Sequence, residues 1–353
     1  MLKNAIVLAL GAATATAQSP QRTRPQDAQR ILSVLAADSM EGRATASRGA
    51  KKAATYIANV MRSLRLEPLG DSGFFQRVPM SLDSVPIGGR GGRGGATTDS
   101  TRPRFAWRVR ARGSFADHDT IPAQRRRIDY NVLGIIRGSD PALRNEYVLV
   151  GAHHDHIGII APENGDSIAN GADDDASGVT AILEIARQLK QGRAPRRSVI
   201  FAATTGEEVG YFGTNWLLAH PPVPLDKIVA DIQIEMIGRP DSLSNGSGKG
   251  WLTGYERSTM GEIFAANKLP IVADRRLDQD FFFRSDNIAY ARKGIVAHTL
   301  ASFNLHTDYH RVTDDVSRVD FAHMAALINV ATDAVRLLAV GAKPEWKTGG
   351  RPQ

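Results

Sequence analysis

Residues 151–158, GAHHDHIG, set His153, His154, Asp155 and His156 side by side. Imidazole and carboxylate are donors for a divalent metal, but neighbours in an extended chain point to opposite faces, so the four cannot all reach one ion. Further carboxylates and histidines stand at the ends of apolar stretches downstream. GADDDASG places Asp173, Asp174 and Asp175 before a helical pattern. IFAATTGEE ends in Glu207 and Glu208, IQIEM holds Glu235 between Ile234 and Met236, and HTDYHRVTDD carries Tyr309 and His310. Singly, these motifs have bland readings: a surface cluster, a helix N-terminus favouring carboxylates, a solvated turn, an edge residue. Jointly they are more specific. Several carboxylates and histidines converging at strand ends repel one another unless a cation lies between them. Two divalent ions would neutralise the group. Donors without thiolate suit zinc, and also cobalt or manganese.

The elements that would position these residues alternate. DAQRILSVLAA, with Ile31, Val34 and Leu35 on one face, and GAKKAATYIANVMRSL, with Ala53, Ile57, Val60, Met61 and Leu64, predict two helices before residue 66. From residue 128 strand-like segments (DYNVLGIIRG, EYVLVGAH, RRSVIFAAT, IVADIQIEM, GIVAHTL) alternate with helical ones, among them SGVTAILEIARQLKQG and the terminal DFAHMAALINVATDAVRLLAV. That alternation predicts an α/β fold, a three-layer αβα sandwich with a central mixed, largely parallel sheet. Such sheets build their sites at strand ends.

Between the early helices and this core, GGRGGRGG at 88–95 predicts a loop, and RFAWRVRAR a half-exposed strand with Phe105, Trp107, Val109 and Ala111 on one face. Residues 86–125 read as an insertion or excursion. The formal charge of +7 is concentrated there, since residues 90–127 hold ten arginines and three aspartates. The basicity thus belongs to one segment, which argues against a nucleic-acid partner; a solvated excursion accounts for two GRGG units better than RNA binding does.

The chain has 353 residues, 42% hydrophobic, and no cysteine. A core of that size is readily buried, and a zinc site without cysteine is not the thiolate-rich structural type. Lys3 followed by AIVLALGAATATA reads as a signal peptide over residues 1–17, with Gln18 as the new N-terminus, so the protein is expected to be secreted or periplasmic. No apolar run after it is long enough to predict stable membrane insertion.

With these motifs in place, the chain resembles the co-catalytic di-zinc exopeptidases of metallopeptidase family 28, the bacterial leucyl aminopeptidase type. GAHHDHIG, GADDDASGV, TTGEEVGYFGTNW, IQIEMIGRP, RSDNIAYARKGI and HTDYHRVTDD carry the resemblance, with MEGRAT and NVLGIIRGSDP as flanks, over about residues 30 to 340. It implies the zinc exopeptidase (phosphorylase/hydrolase-like) fold, a catalytic domain over 25–345, and two Zn2+ ions. It implies that His153, Asp174 and Glu235 hold one ion, and that Asp174, Glu208 and His310 hold the other, with Asp174 bridging. Asp155 would orient His153. Glu207 would be the general base, acting on a water shared by the ions, and Tyr309 a further hydrogen-bond donor. It implies a cis peptide between Asp174 and Asp175. Many relatives have Asp where this chain has Glu235, and often His where it has Asn287; Asp286 beside it is a candidate pocket or supporting residue. On this reading His154 points away from the metals and His156 lines the rim.

The resemblance implies an aminopeptidase acting on peptides with a free N-terminus. The same site on the same fold also suits a carboxypeptidase, a dipeptidase or another amidohydrolase, because specificity lies in pocket walls. A metal-free binding protein is disfavoured, since a silent scaffold has no physical need for all six site residues.

Overall fold

The computed structural model describes residues 21–86 and 105–353. The expected signal peptide and the glycine- and arginine-rich run lie outside the described residues. The strands, in chain order, are β1 (Glu67–Pro68), β2 (Phe75–Pro86), β3 (Phe105–Ala111), β4 (Arg126–Ile136), β5 (Tyr147–His153), β6 (Gly158–Glu163), β7 (Asp166–Ala169), β8 (Ser198–Thr204), β9 (Ile228–Ile234), β10 (Gly250–Leu252), β11 (Ile271–Ala273) and β12 (Ala297–Ala301). The helices are α1 (Pro25–Leu35), α2 (Arg48–Ser63), α3 (Phe115–Thr120), α4 (Gly178–Gln191), α5 (Phe212–Ala219), α6 (Met260–Ala266), α7 (Asn287–Arg292) and α8 (Phe321–Val340).

Among the described residues ten strands form one mixed sheet, in the order β11-β10-β12-β9-β5-β8-β4-β2-β3, with β1 on β4. The central pairings, β12 with β9, β9 with β5 and β5 with β8, are parallel, while β4, β2 and β3 add antiparallel strands on one flank. β6 and β7 form a separate hairpin.

Apolar residues alternate between two covered faces. Val148, Val150, Val199 and Phe201 pack with α1, α2, α4 and α8, whereas Tyr147, Leu149, Ile200 and Ala202 pack with α5 and α7. Both faces are buried, so β5 and β8 read as continuous apolar runs, as parallel core strands do. The stripe expected on α4 (Val179, Ile182, Leu183, Ala186, Leu189) is buried throughout. On α1 the buried stripe is Ala28, Ile31, Leu32 and Leu35, and Val34 sits beside it, partly exposed. Among the described residues α8 is the one helix long and apolar enough to cross a membrane, and its apolar residues pack in the core against α1 and α4.

The segment after the glycine-rich run does form a strand, β3, pairing with β2. Its aromatic face is not buried: Phe105 is 57% and Trp107 60% exposed. An edge strand has a neighbour on one side only, and among the described residues no helix covers the end that carries these two rings.

The parallel strands deliver the site. β5 ends at His153, paired with Thr204 at the end of β8. β9 ends at Ile234, one residue before Glu235. The C-terminal ends of three neighbouring strands therefore present His153, the Glu207–Glu208 turn and Glu235 along one edge.

Candidate metal centre

His153 is buried at the end of β5, and its Nε2 lies 3.3 Å from Asp174 Oδ1 and 3.8 Å from Glu235 Oε1. The second oxygen of Asp174, Oδ2, lies 3.2 Å from His310 Nε2, which is also 3.1 Å from Glu208 Oε2. One carboxylate thus faces two donor groups, one with each oxygen.

The loop carrying Asp174 divides the work of three aspartates. Asp173 accepts the Gly238 N–H at 2.6 Å through Oδ1, and its Oδ2 lies 2.9 Å from His306 Nε2. Asp175 Oδ1 accepts the N–H groups of Gly178 (2.9 Å) and Met236 (3.2 Å), which caps α4 and ties the loop to the end of β9. Asp174 is left to face His153 and His310. The Asp174–Asp175 peptide is cis, as the resemblance implies.

His153 Nδ1 lies 3.1 Å from the backbone carbonyl of Asp155 and 3.8 Å from its carboxylate. Asp155 orients the imidazole through its main chain. Its carboxylate instead accepts the Thr45 hydroxyl at 2.7 Å and the Glu207 N–H at 3.2 Å, so it fixes the turn that carries the expected base. His154 turns away, with Nε2 2.8 Å from the Tyr130 carbonyl.

His156 is not on the rim. It is 1% exposed, and its Nδ1 lies 2.8 Å from Glu208 Oε1. Strand alternation stops at His153; beyond it the His156 N–H donates to the Arg43 carbonyl at 3.2 Å, and the irregular backbone swings the ring inward.

Two further residues hold the loops together. Arg43, fully buried, donates to the carbonyls of His154 (2.9 Å), Leu35 (2.7 Å), Asn170 (2.6 Å) and Gly171 (2.9 Å), stapling the end of β5 to the aspartate loop. Its signal in the sequence was MEGRAT, a motif whose spacing shows no partner. Asp314 accepts the N–H groups of Asp173 and Asp174. Asp286 is buried at the foot of the site and accepts the Thr204 hydroxyl at 2.8 Å.

The electrostatics call for positive charge. Burial alone would lower the His310 imidazole, yet Asp174 and Glu208 outweigh it and lift it to about 10. Burial likewise opposes a charged His153, and contacts with Asp174 and Glu235 push it well above its ordinary value. Burial would raise Asp174, but His153 and His310 hold its carboxyl well below the usual range. The carboxylates thus favour positive charge at these two histidines. Divalent ions would supply that charge directly. The donor atoms fit them: those of His153, Asp174 and Glu235, and separately those of His156, Asp174, Glu208 and His310, lie within 4.8 Å of one another. The His153 Nε2 that faces Asp174 and Glu235 is buried without a hydrogen-bond partner.

Glu207 sits between these groups. Burial, with the charges of Glu235, Asp286 and Glu208 added, pushes its carboxyl well above its ordinary value despite His153 nearby. Tyr309 stacks on His310 with centroids 3.9 Å apart, and burial beside Asp174 and Glu208 raises its hydroxyl, keeping it a proton donor at neutral pH. Tyr309 and Glu235 also line a pocket walled by Met236, Trp251, Phe281 and Phe303, with Arg284 among its lining residues.

Comparison with known proteins agrees with this geometry. An 87-residue stretch is 39% identical to a probable zinc metalloprotease of Leptosphaeria maculans, covering 25% of this chain and 19% of that protein. A 113-residue stretch is 35% identical to leucine aminopeptidase 1 of Ajellomyces capsulatus, covering 30% of this chain and 28% of that protein. The chain thus spans less than a third of the length of these relatives. Among solved structures, a zinc aminopeptidase from Bacillus subtilis superposes with a TM-score of 0.63 at 17% identity, covering 90% of this chain and 96% of that one. An aminopeptidase from Aneurinibacillus sp. strain AM-1 gives 0.61 at 16%, covering 92% and 96%. The model of peptidase family M28 matches residues 131–335, more than half of the chain and every expected ligand within it, so the chain belongs to peptidase family M28.

Proposed function

We propose that the protein is an exported aminopeptidase that uses two zinc ions, with Glu207 as general base. The observation that carries this reading is the split contact of Asp174, whose Oδ1 faces His153 and whose Oδ2 faces His310. A carboxylate so placed suits two ions bridged by one side chain. His153, Asp174 and Glu235 would hold one ion, and Asp174, Glu208 and His310 the other. Bound there, the ions acidify water and polarise the scissile carbonyl.

The residues of the chain do the rest. Glu207, raised in pKa by burial, takes the proton from the attacking water and delivers it to the leaving amine, which returns the base to its carboxylate form. Tyr309, which lines the same pocket as Glu235, would donate its hydroxyl to the developing oxyanion. The walls of Met236, Trp251, Phe281 and Phe303 suit an apolar first side chain. The Glu235 carboxylate on that pocket lining suits a free ammonium group, which favours an N-terminal over a C-terminal cut. Arg284 on the pocket lining is the one feature that favours the other orientation, a carboxypeptidase or dipeptidase binding a substrate carboxylate.

We read residues 1–17 as the export signal, 25–345 as the catalytic unit and 86–125 as an excursion at its edge. Trp346 extends that unit slightly, bonding the Gly294 carbonyl through Nε1 at 3.0 Å. Mass spectrometry of the mature protein from its host's envelope should find Gln18 at the N-terminus.

The deciding experiment compares aminoacyl anilides with N-blocked peptides, before and after chelation. The expected result is metal-dependent cleavage of the free-amine substrates alone. Cleavage of N-blocked peptides instead would assign the site to the carboxypeptidase reading.

A further inference from the structure

The ligands carried over from the family give each ion three side chains. The structure brings a further imidazole to one of them. His156 Nδ1 lies 2.8 Å from Glu208 Oε1 and 3.7 Å from Asp174 Oδ2. These are the carboxylates that His310 Nε2 approaches at 3.1 and 3.2 Å. We infer that His156 Nδ1 is a sixth metal ligand, so that one ion is enclosed by four side chains (His156, Asp174, Glu208, His310) and the other, held by three, keeps the open position.

Three observations support this. The first is spacing. Donors on a tetrahedral zinc with bonds of 2.0–2.1 Å stand about 3.3 Å apart, and the separations above bracket that value. The second is preorganisation. The ring is edge-on to His310 with centroids 5.5 Å apart. Gly171, at φ +58°, makes room for it: a Cβ there would lie 2.6 Å from both Cγ and Cδ2 of the imidazole. The third is the partner inventory of the ring. Its Nε2 is buried without a hydrogen-bond partner, so the polar contacts of the side chain all run through the nitrogen that faces the cluster.

The consequence is an unequal pair. Four protein donors close a zinc site as structural sites are closed, whereas three leave a position for water or substrate. The three-donor ion would be held in part by Glu235, which lines the apolar pocket, and would be the one to take water or substrate from that side. The enclosed ion should be the more tightly held and the slower to leave.

This inference rests on the two-ion reading, and the test separates the two. Metal analysis of the zinc-loaded full chain gives the ion count; one zinc per chain would refute the pair, and His156 is then judged on that ion by the same measurements. X-ray absorption on zinc-loaded wild type should show three imidazoles shared between two ions, falling to two in His156→Ala. Competition with a chromophoric zinc chelator should resolve a tight and a weaker step, the tight one weakened at least about 10-fold in His156→Ala and His156→Asn. An unchanged imidazole count would overturn the proposal. So would variants whose only defect is a lower melting temperature already present in the chelated protein, since that would make His156 a packing residue.

Discussion

The backbone N–H of Asp174 donates to Asp314 Oδ2 at 3.1 Å, across 140 residues of sequence. The same carboxylate accepts the Asp173 N–H, and the Asp314 carbonyl accepts that of Ala172. Arg239 closes the arrangement, 3.3 Å from Asp314 Oδ1 and 2.6 Å from Asp308. The loop that presents His310 thereby holds the loop that presents Asp174, and the position of the Asp174 carboxylate is set by a residue that touches neither His153 nor His310.

Replacing Asp314 by Ala should therefore loosen the metal centre. Two buried N–H groups lose their acceptor and Arg239 loses a partner, a cost of about 2–4 kcal/mol. Zinc affinity should fall by about 10–100-fold, as for other groups that orient ligands without binding metal. Thermal melts of the chelated protein give the first quantity and metal titration the second. Asp314→Asn, which keeps one acceptor, should lie between.

Glu207→Gln should lower kcat by about 10²–10⁴-fold, the range of a lost general base. The amide preserves shape and leaves the ligands in place, so bound zinc and KM should stay near wild type. Steady-state kinetics with metal analysis on the same sample checks both. Unchanged turnover would remove Glu207 from the reaction.

Chelation should abolish activity and lower the melting temperature together, because the ions bind the folded chain alone. Zinc supplied at 100 times its dissociation constant stabilises by about 2.7 kcal/mol per site. Restoring zinc should recover both properties. Recovery of the melt without the activity would assign the ions a structural role only.

Phe303→Ala widens the pocket beside Glu235. The kcat/KM for a leucyl substrate should drop by about 10-fold or more while bulky aromatic residues gain relative to it, since apolar pockets discriminate by about 1–3 kcal/mol per missing contact. A panel of aminoacyl anilides measured on both proteins gives the ratio. An unaltered ranking would place the first side chain elsewhere.

Asp286 gives a pH signature. Burial pushes its carboxyl from 3.8 up to about 6, against the pull of His153 and of the Thr214 and Thr204 contacts. The folded state then binds the proton more tightly than the unfolded chain. Stability from this group is full below the unfolded value, declines as pH rises between the two values, and is flat above the folded one. Asp286→Asn should remove that decline, gaining on the order of 2–3 kcal/mol over wild type at neutral pH relative to acid. Urea melts of the chelated proteins across that window measure the difference, and a pH-independent difference would contradict it.

The layered fold and most of the site were legible in the sequence. Apolar runs in β5 and β8 announce strands covered on both faces, and the stripe of α4 announces its buried side, because burial imposes a period on consecutive residues. The HHDH, DDD and GEE clusters, Glu235 and HTDYHRVTDD stood out as ionisable groups near the ends of apolar segments, where unpaired burial is costly, and the family resemblance singled out His153, Asp174, Glu207, Glu208, Glu235 and His310 among them. What the sequence left open depends on contacts between distant residues. Alternation placed His154 on the far side correctly, since it adjoins the strand end, but could not place His156, where the strand has stopped and a bond to Arg43 sets the turn. Nothing local marks Asp314 as the acceptor for Asp174, or Arg43 as the staple of four carbonyls. Nor does anything local show that the carboxylate of Asp155 serves Glu207 while its carbonyl serves His153. Which polar group satisfies which is settled only when the chain closes on itself, because a hydrogen bond is specified by distance in space and the sequence records only distance along the chain.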